Sequence, residues 1–136
     1  NNKPWWNDKE KETFDDKCDG VVKLYDGKPL LTDLYTSGRK TENENVADIS
    51  AMRCVIDIMN TIENADYKSF FNSFASSFAG GATRKYLEYL ISEDEHANYG
   101  VRVNTVLSNF QEFYDTYGIS ENDAMYVKPE NRITIW

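Results

Sequence analysis

Two carboxylates one helical turn apart, Glu44 and Asp48, are the residues of this chain best spaced for chemistry; they frame the stretch Glu44-Asn45-Val46-Ala47-Asp48. At about 100° per residue the two share one narrow stripe of a helix. Ala51, Met52, Val55, Ile58, Met59 and Ile62 fall in that stripe, and Arg53, Asp57 and Asn60 fall opposite. The spacing predicts a Glu44 face turned inward and an Arg53 face turned to solvent. A carboxylate facing a core needs a partner, because burying a bare charge is expensive. A metal ion, or the histidines that hold one, would serve. The chain has a single histidine, His96, and no H-E-x-x-H. The pattern is that of half a metal site, with the other half expected outside these 136 residues. Thr41-Glu42-Asn43-Glu44 also fits a capping box, with Thr41 at the N-cap and Glu44 at N3. An acid is favoured in a first helical turn whatever the function, so spacing leaves both readings open.

Asp94-Glu95-His96, followed six residues later by Arg102, is a second constellation. Asp94 would orient the imidazole and favour its protonated form. A cationic His96 and a fixed Arg102 would then stabilise charge developing on a carbonyl oxygen. A histidine among acids in a loop is also commonly a solvated residue with no such task. No Ser/His or Cys/His arrangement, glycine-rich phosphate loop or internal repeat accompanies these residues.

Composition narrows the class. One domain is the natural count for 136 residues. Seven Phe, nine Tyr and three Trp supply a core and argue against disorder. A net charge of −8 disfavours nucleic-acid binding, which needs clustered Lys and Arg. The apolar runs are too short for a membrane segment. No signal-peptide pattern opens the chain, which begins without Met and is read as a processed or excised piece. Cys18 and Cys54 fit no zinc or redox spacing and are read as reduced and structural.

The elements that must position these residues are mostly helical. Asn7 is expected to cap a first helix carrying Phe14, Cys18, Val21, Val22 and Tyr25. Gly27, Pro29 and Gly38 mark an irregular stretch over about 26–40. The Glu44 helix follows, to about Ile62. Tyr67, Phe70, Phe71, Phe74 and Phe78 form a third helix, stopped by Gly80-Gly81, and a fourth runs from about Thr83 to Ile91. Ser108 and Gln111 fit a second capping box, opening a short helix that ends at Gly118. The tail from Ile119 has no helical period, and Val127 and Ile133 to Ile135 are candidates for extended pieces.

The residues resemble a family: the neprilysin family of zinc metalloendopeptidases, in its C-terminal part. Nearly the whole chain carries the likeness. It runs from Trp5-Trp6 through Glu44-Asn45-x-Ala47-Asp48, Phe70-Phe71 to Phe78, Asp94-x-His96-Ala97 and Arg102-Val103-Asn104. It ends in Asn109-Phe110, Phe113, Tyr117-Gly118, Met125-Tyr126 and Pro129-Glu130-x-Arg132-Ile133-x-Ile135-Trp136, where it is most similar to the bacterial oligopeptidase O enzymes. The resemblance implies a mainly α fold, the helical C-terminal part of a neprilysin-type catalytic domain with an irregular tail. Residues 1–136 are then a C-terminal piece of that domain. By position, Glu44 matches the third zinc ligand, and Asp48 the carboxylate that hydrogen-bonds a zinc-bound histidine and fixes its tautomer. His96 matches the residue that stabilises the tetrahedral intermediate, Asp94 the group orienting it, and Arg102 the arginine that binds substrate backbone. Phe78 stands where the family usually has Trp near a substrate side-chain pocket. On this reading Glu44 both caps and ligates.

The implied function is zinc-dependent hydrolysis of oligopeptides by the intact protein, in the cytoplasm by analogy with the bacterial members. The chain alone is expected to be inactive, and to self-associate through the apolar Glu44, Met52 and Val55 face. Some departures bear on this. The helix with two histidines and the general-base glutamate is absent from these residues, as is the strand that grips substrate. Ser50-Ala51 replaces the usual two glycines, Asn98 the usual Pro, and Ile133 the Cys that pairs with the Cys18 position in animal enzymes. The alternative is a non-catalytic helical interaction module or pseudoenzyme of the same descent.

Overall fold

The structure is a computed structural model and describes residues 6–136. Trp5 lies outside the described residues. Helix α1 (Asp8–Tyr25) opens at the Asn7 cap the sequence predicts, which takes the form of a capping box. The Asn7 side chain accepts from the Glu10 backbone N–H at 2.9 Å, and Glu10 returns the bond to the Asn7 N–H at 2.9 Å. Its apolar stripe buries Cys18, Val21 and Tyr25.

The stretch after α1 is more ordered than its glycines and proline suggest. Strands β1 (Pro29–Leu31) and β2 (Leu34–Tyr35) form a small antiparallel hairpin. Two strands this short carry too little periodicity to be read. The hairpin returns so close to the end of α1 that a Cβ on Gly38 would lie 2.1 Å from the Val22 carbonyl oxygen. Only glycine fits there. The Gly38 N–H also donates to Asp26 Oδ1 at 2.9 Å.

Helix α2 (Glu42–Met59) buries Asn45, Ile49, Met52 and Ile56. This corrects the expected orientation, since the inward face is turned by about a quarter-turn from the Glu44 stripe. The helix has two apolar faces, and α1 and α5 take the one centred on Ile49 and Ile56. Each of those two side chains, 1% and 0% exposed, contributes about 1.5–3 kcal/mol by burial. The other face leaves Val55 and Ile58 39% and 62% exposed, with Ile62 beyond the helix at 55%. Arg53, expected in solvent, is partly buried, pairing with Asp57 and Glu112.

The two later capping boxes do not form. Thr41 has φ −99° and ψ 10°, outside the extended region a cap needs. Its hydroxyl instead donates to the Ser37 carbonyl at 3.0 Å and accepts from Asn45 Nδ2 at 2.8 Å. Glu44 is thus released from capping. Ser108 bonds back to the Thr105 carbonyl at 3.0 Å, and Phe110 holds the N-cap position of α6.

Helices α3 (Tyr67–Ser77) and α4 (Arg84–Glu93) match the expected third and fourth helices. Helix α5 (Tyr99–Leu107) was not predicted. Its Val-rich sequence has weak helix propensity. It buries Val101, Val103, Thr105, Val106 and Leu107, which are spread around the helix axis rather than along one stripe. It sits centrally, against α1, α2, α3 and β1. Asn98, in place of the family's Pro, caps it from φ −60° and ψ 151°, a backbone proline would also accept.

Helix α6 (Gln111–Tyr117) ends at Gly118 with φ +67°, the left-handed position glycine favours. The tail forms no strand, contrary to the expectation for Val127 and Ile133 to Ile135, and holds a single 3-10 turn at Pro129–Asn131. Side chains rather than a ladder pin it. The Tyr114 hydroxyl donates to the Ser108 carbonyl at 2.7 Å and accepts from the Val127 N–H at 2.8 Å. Asn109 Oδ1 accepts from the Ile133 N–H at 2.6 Å, and Trp136 stacks on Phe14. Cys18 is buried and Cys54 exposed, so Cys54 is not a core residue; both thiols are free. No helix of the described residues is long and apolar enough to cross a membrane.

Candidate active site

Four separate elements bring the six singled-out residues together. The first turn of α2 presents Glu44, and one turn later Asp48. The loop between α4 and α5 carries Asp94 and His96, α5 carries Arg102, and Phe78 closes the end of α3. α5, the helix the periodicity did not reveal, holds Arg102 against α2.

His96 sits between two carboxylates. Its Nδ1 is 2.8 Å from Asp94 Oδ1, and its Nε2 is 3.1 Å from Glu44 Oε2. The His96 backbone N–H also donates to Asp94 Oδ1 at 3.0 Å, so ring and backbone share one acceptor. These side-chain and backbone hydrogen bonds from His96, aided by the charges of His96 and Arg102, hold the Asp94 carboxyl below the usual carboxylate range. The Asp94 contact at Nδ1 fixes the ring orientation and turns Nε2 toward Glu44 Oε2. The His96 side chain remains 44% exposed, open to a ligand.

Asp48 and Arg102 meet in a two-pronged pair, Nε to Oδ2 at 2.7 Å and Nη2 to Oδ1 at 2.8 Å. The side chains are only 21% and 17% exposed, so solvent screens the pair weakly. The Asp48 hydrogen bonds push the Arg102 pKa up against the opposing effect of burial. The guanidinium lies over the Phe78 ring, 5.0 Å from its centroid. Arg102 is thereby fixed on two sides. Its Nη1 takes no acceptor among the described residues. A cavity of about 210 Å³ opens alongside, with Leu90, Ile91 and Tyr99 as apolar walls and His96 and Arg102 at its edge.

A metal is the natural partner for Glu44 by the sequence pattern. A tetrahedral zinc site takes three protein ligands and a water. Among the described residues no group of three or more His, Cys, Asp or Glu side chains is placed to hold an ion. The described residues by themselves do not form a zinc site. Glu44 does fit as one member of a ligand set: it is 40% exposed and freed from capping, with Oε2 3.1 Å from His96 Nε2.

One residue of the site was invisible to spacing. Tyr25 is fully buried, and its hydroxyl lies within electrostatic reach of both Asp48 and Arg102. In sequence it is one more apolar position of the α1 stripe.

Residues 1–133 match Peptidase family M13. The chain belongs to peptidase family M13. Among its M13 relatives, the neutral endopeptidase of Lactococcus lactis subsp. cremoris is 33% identical over 133 residues, 97% of this chain and 21% of the relative. The M13 chain therefore spans about a fifth of the length of the curated relatives it matches. The crystal structure of PepO from Lactobacillus rhamnosis HN001 superposes with a TM-score of 0.90 at 28% identity, covering 100% of this chain and 22% of that one. A Mycobacterium tuberculosis zinc metalloprotease, ZMP1, solved in complex with an inhibitor, shares the fold with a TM-score of 0.83 at 21% identity, covering 98% and 23%. The neprilysin-family resemblance and the mainly α fold it implies are thus established.

Proposed function

We propose that this M13 chain is the C-terminal part of a zinc-dependent endopeptidase that hydrolyses oligopeptides. In that enzyme Glu44 supplies one zinc ligand, and Asp48 orients a ligating histidine carried elsewhere in the polypeptide. A zinc ion held there would supply polarisation of the scissile carbonyl and activation of water. His96, aligned by Asp94, donates to the oxygen where negative charge develops. Arg102, braced by Asp48 and Phe78, holds the peptide backbone, and Phe78 borders a substrate side-chain site.

The observation that carries this reading is the convergence of Glu44, Asp94, His96 and Arg102 from three separate elements onto one open surface. Family membership and the zinc metalloprotease among the structural neighbours support the choice of zinc. The test compares this chain with the longer polypeptide that carries it, on a fluorescence-quenched oligopeptide. The longer form is expected to cleave and to stop on chelation, and the 136-residue chain to be inactive. A longer polypeptide with no H-E-x-x-H and no cleavage would instead make the chain part of a non-catalytic relative.

A further inference from the structure

Helix α4 leads into the loop that carries Asp94 and His96, yet packing holds it least of all the helices. Leu87 is its only buried residue. Among the described residues no α4 side chain joins the core cluster, to which each of the other five helices contributes. Polar contacts at its two ends take the place of packing. At the first turn, Arg84 Nη1 and Nη2 donate to Asp33 Oδ1 and Oδ2 at 3.0 and 2.7 Å, tying α4 to the turn of the hairpin. Those side chains are 53% and 56% exposed, so water screens that pair. At the far end, Lys40 Nζ donates to the Ile91 carbonyl at 2.8 Å in a part-buried contact.

The Ile91 carbonyl is one of the last four of the helix, which lack partners within it. A cation is favoured at that negative end, and the last turn of α4 has no basic residue of its own. Lys40, just ahead of the α2 N-cap, supplies one from another element. From its bond an unbroken run of contacts leads to the site. The Asp94 N–H donates to the Leu90 carbonyl at 2.8 Å, beside the carbonyl that Lys40 holds. Asp94 Oδ1 accepts from the His96 N–H at 3.0 Å and lies 2.8 Å from His96 Nδ1. His96 Nε2 is 3.1 Å from Glu44 Oε2 in the first turn of α2. The run closes on itself: Lys40 meets the His96 loop through its side chain and Glu44 through the backbone.

We propose that Lys40 is a positioning residue for His96: by holding the Ile91 carbonyl it sets the end of α4, and with it the place of the imidazole relative to Glu44. The inference rests on the peptidase reading. Lys40 acts through His96 and not on the peptide, so its effect belongs to the step in which negative charge develops.

The test uses the longer polypeptide, with Lys40→Met, Lys40→Arg, His96→Ala and the Lys40→Met, His96→Ala double variant. Steady-state kinetics on a quenched oligopeptide, zinc content and amide exchange over residues 92–97 are measured. Lys40→Met keeps the aliphatic stem and removes the donor. It is expected to lower kcat about tenfold, the worth of one hydrogen bond to a charged group, with KM and zinc content unchanged and exchange of the Asp94 and His96 amides faster. Lys40→Arg keeps a cationic donor and should retain most of the rate. In the His96→Ala background Lys40→Met should cost nothing further. An unchanged kcat, a loss that persists in full without His96, a raised KM, lost zinc, Lys40→Arg as slow as Lys40→Met, unchanged amide exchange, or a Lys40→Met protein that does not fold would each overturn the inference. His96→Ala serves as the control for the underlying reading. If it left kcat intact, both proposals would fall; if it lowered kcat while Lys40→Met changed nothing, only this one would.

Discussion

His96 Nε2 lies 3.1 Å from Glu44 Oε2, joining the α4–α5 loop to the first turn of α2. The group proposed to meet a developing oxyanion and the group proposed to meet a metal face each other across one contact. That proximity would put an oxyanion donor beside a metal ligand, the arrangement that metal-assisted hydrolysis of a carbonyl would use.

His96 and Arg102 should fail differently in the longer polypeptide. His96→Ala should keep zinc and lower kcat by about 10²–10³-fold, as for oxyanion donors elsewhere. Arg102→Met should raise KM with little change in kcat, since its contact is made in ground state and transition state alike. It also strands Asp48, so the folded protein should lose about 1–3 kcal/mol, the penalty for an unsatisfied buried group. Steady-state kinetics and urea midpoints on the two variants read all three effects.

The contrast between these two residues shows how far the sequence reaches. His96 and Glu44 stand out in short motifs by type and spacing, and the resemblance implies their roles. The pairing of Arg102 with Asp48 does not, because it depends on α5 crossing α2. Helix α5 buries residues spread around its axis, so no single apolar stripe marks it, and its valines argue against a helix. The inward face of α2 was misassigned because both faces are apolar, and only the partners of the helix decide between them. Thr41 was a plausible cap until the preceding turn took its hydroxyl. Tyr25 carried no signal, since a buried tyrosine in a core stripe reads the same whether or not its hydroxyl has work.

Acid should loosen the site through Asp94. Its folded-state pKa is depressed, chiefly by the His96 hydrogen bonds. The stabilisation is therefore fully present above the ordinary value of 3.8 and is lost as pH falls below it, through the lower folded-state value. Urea midpoints measured downward from pH 6 should show a decline below about pH 4 that is shallower in Asp94→Asn. Equal slopes in the two proteins would show that the His96 contact contributes nothing to the fold.

The second apolar face of α2 should make the isolated chain associate. Val55, Ile58 and Ile62 are exposed along it, whereas Met52, expected to share that surface, is buried. An exposed patch of this kind is usually covered. Light scattering of the 136-residue chain should show concentration-dependent association, reduced by Ile58→Glu. A strict monomer at high concentration would contradict this.

The central claim is that Glu44 ligates zinc in the intact enzyme. Metal analysis of the longer polypeptide with Glu44→Gln tests it most directly, because an amide is a poor ligand in place of a carboxylate and the side chain's one polar contact among the described residues is the part-exposed one to His96. The account predicts that zinc content and peptidase activity fall together while the protein stays folded. Full zinc occupancy at the full rate would contradict it.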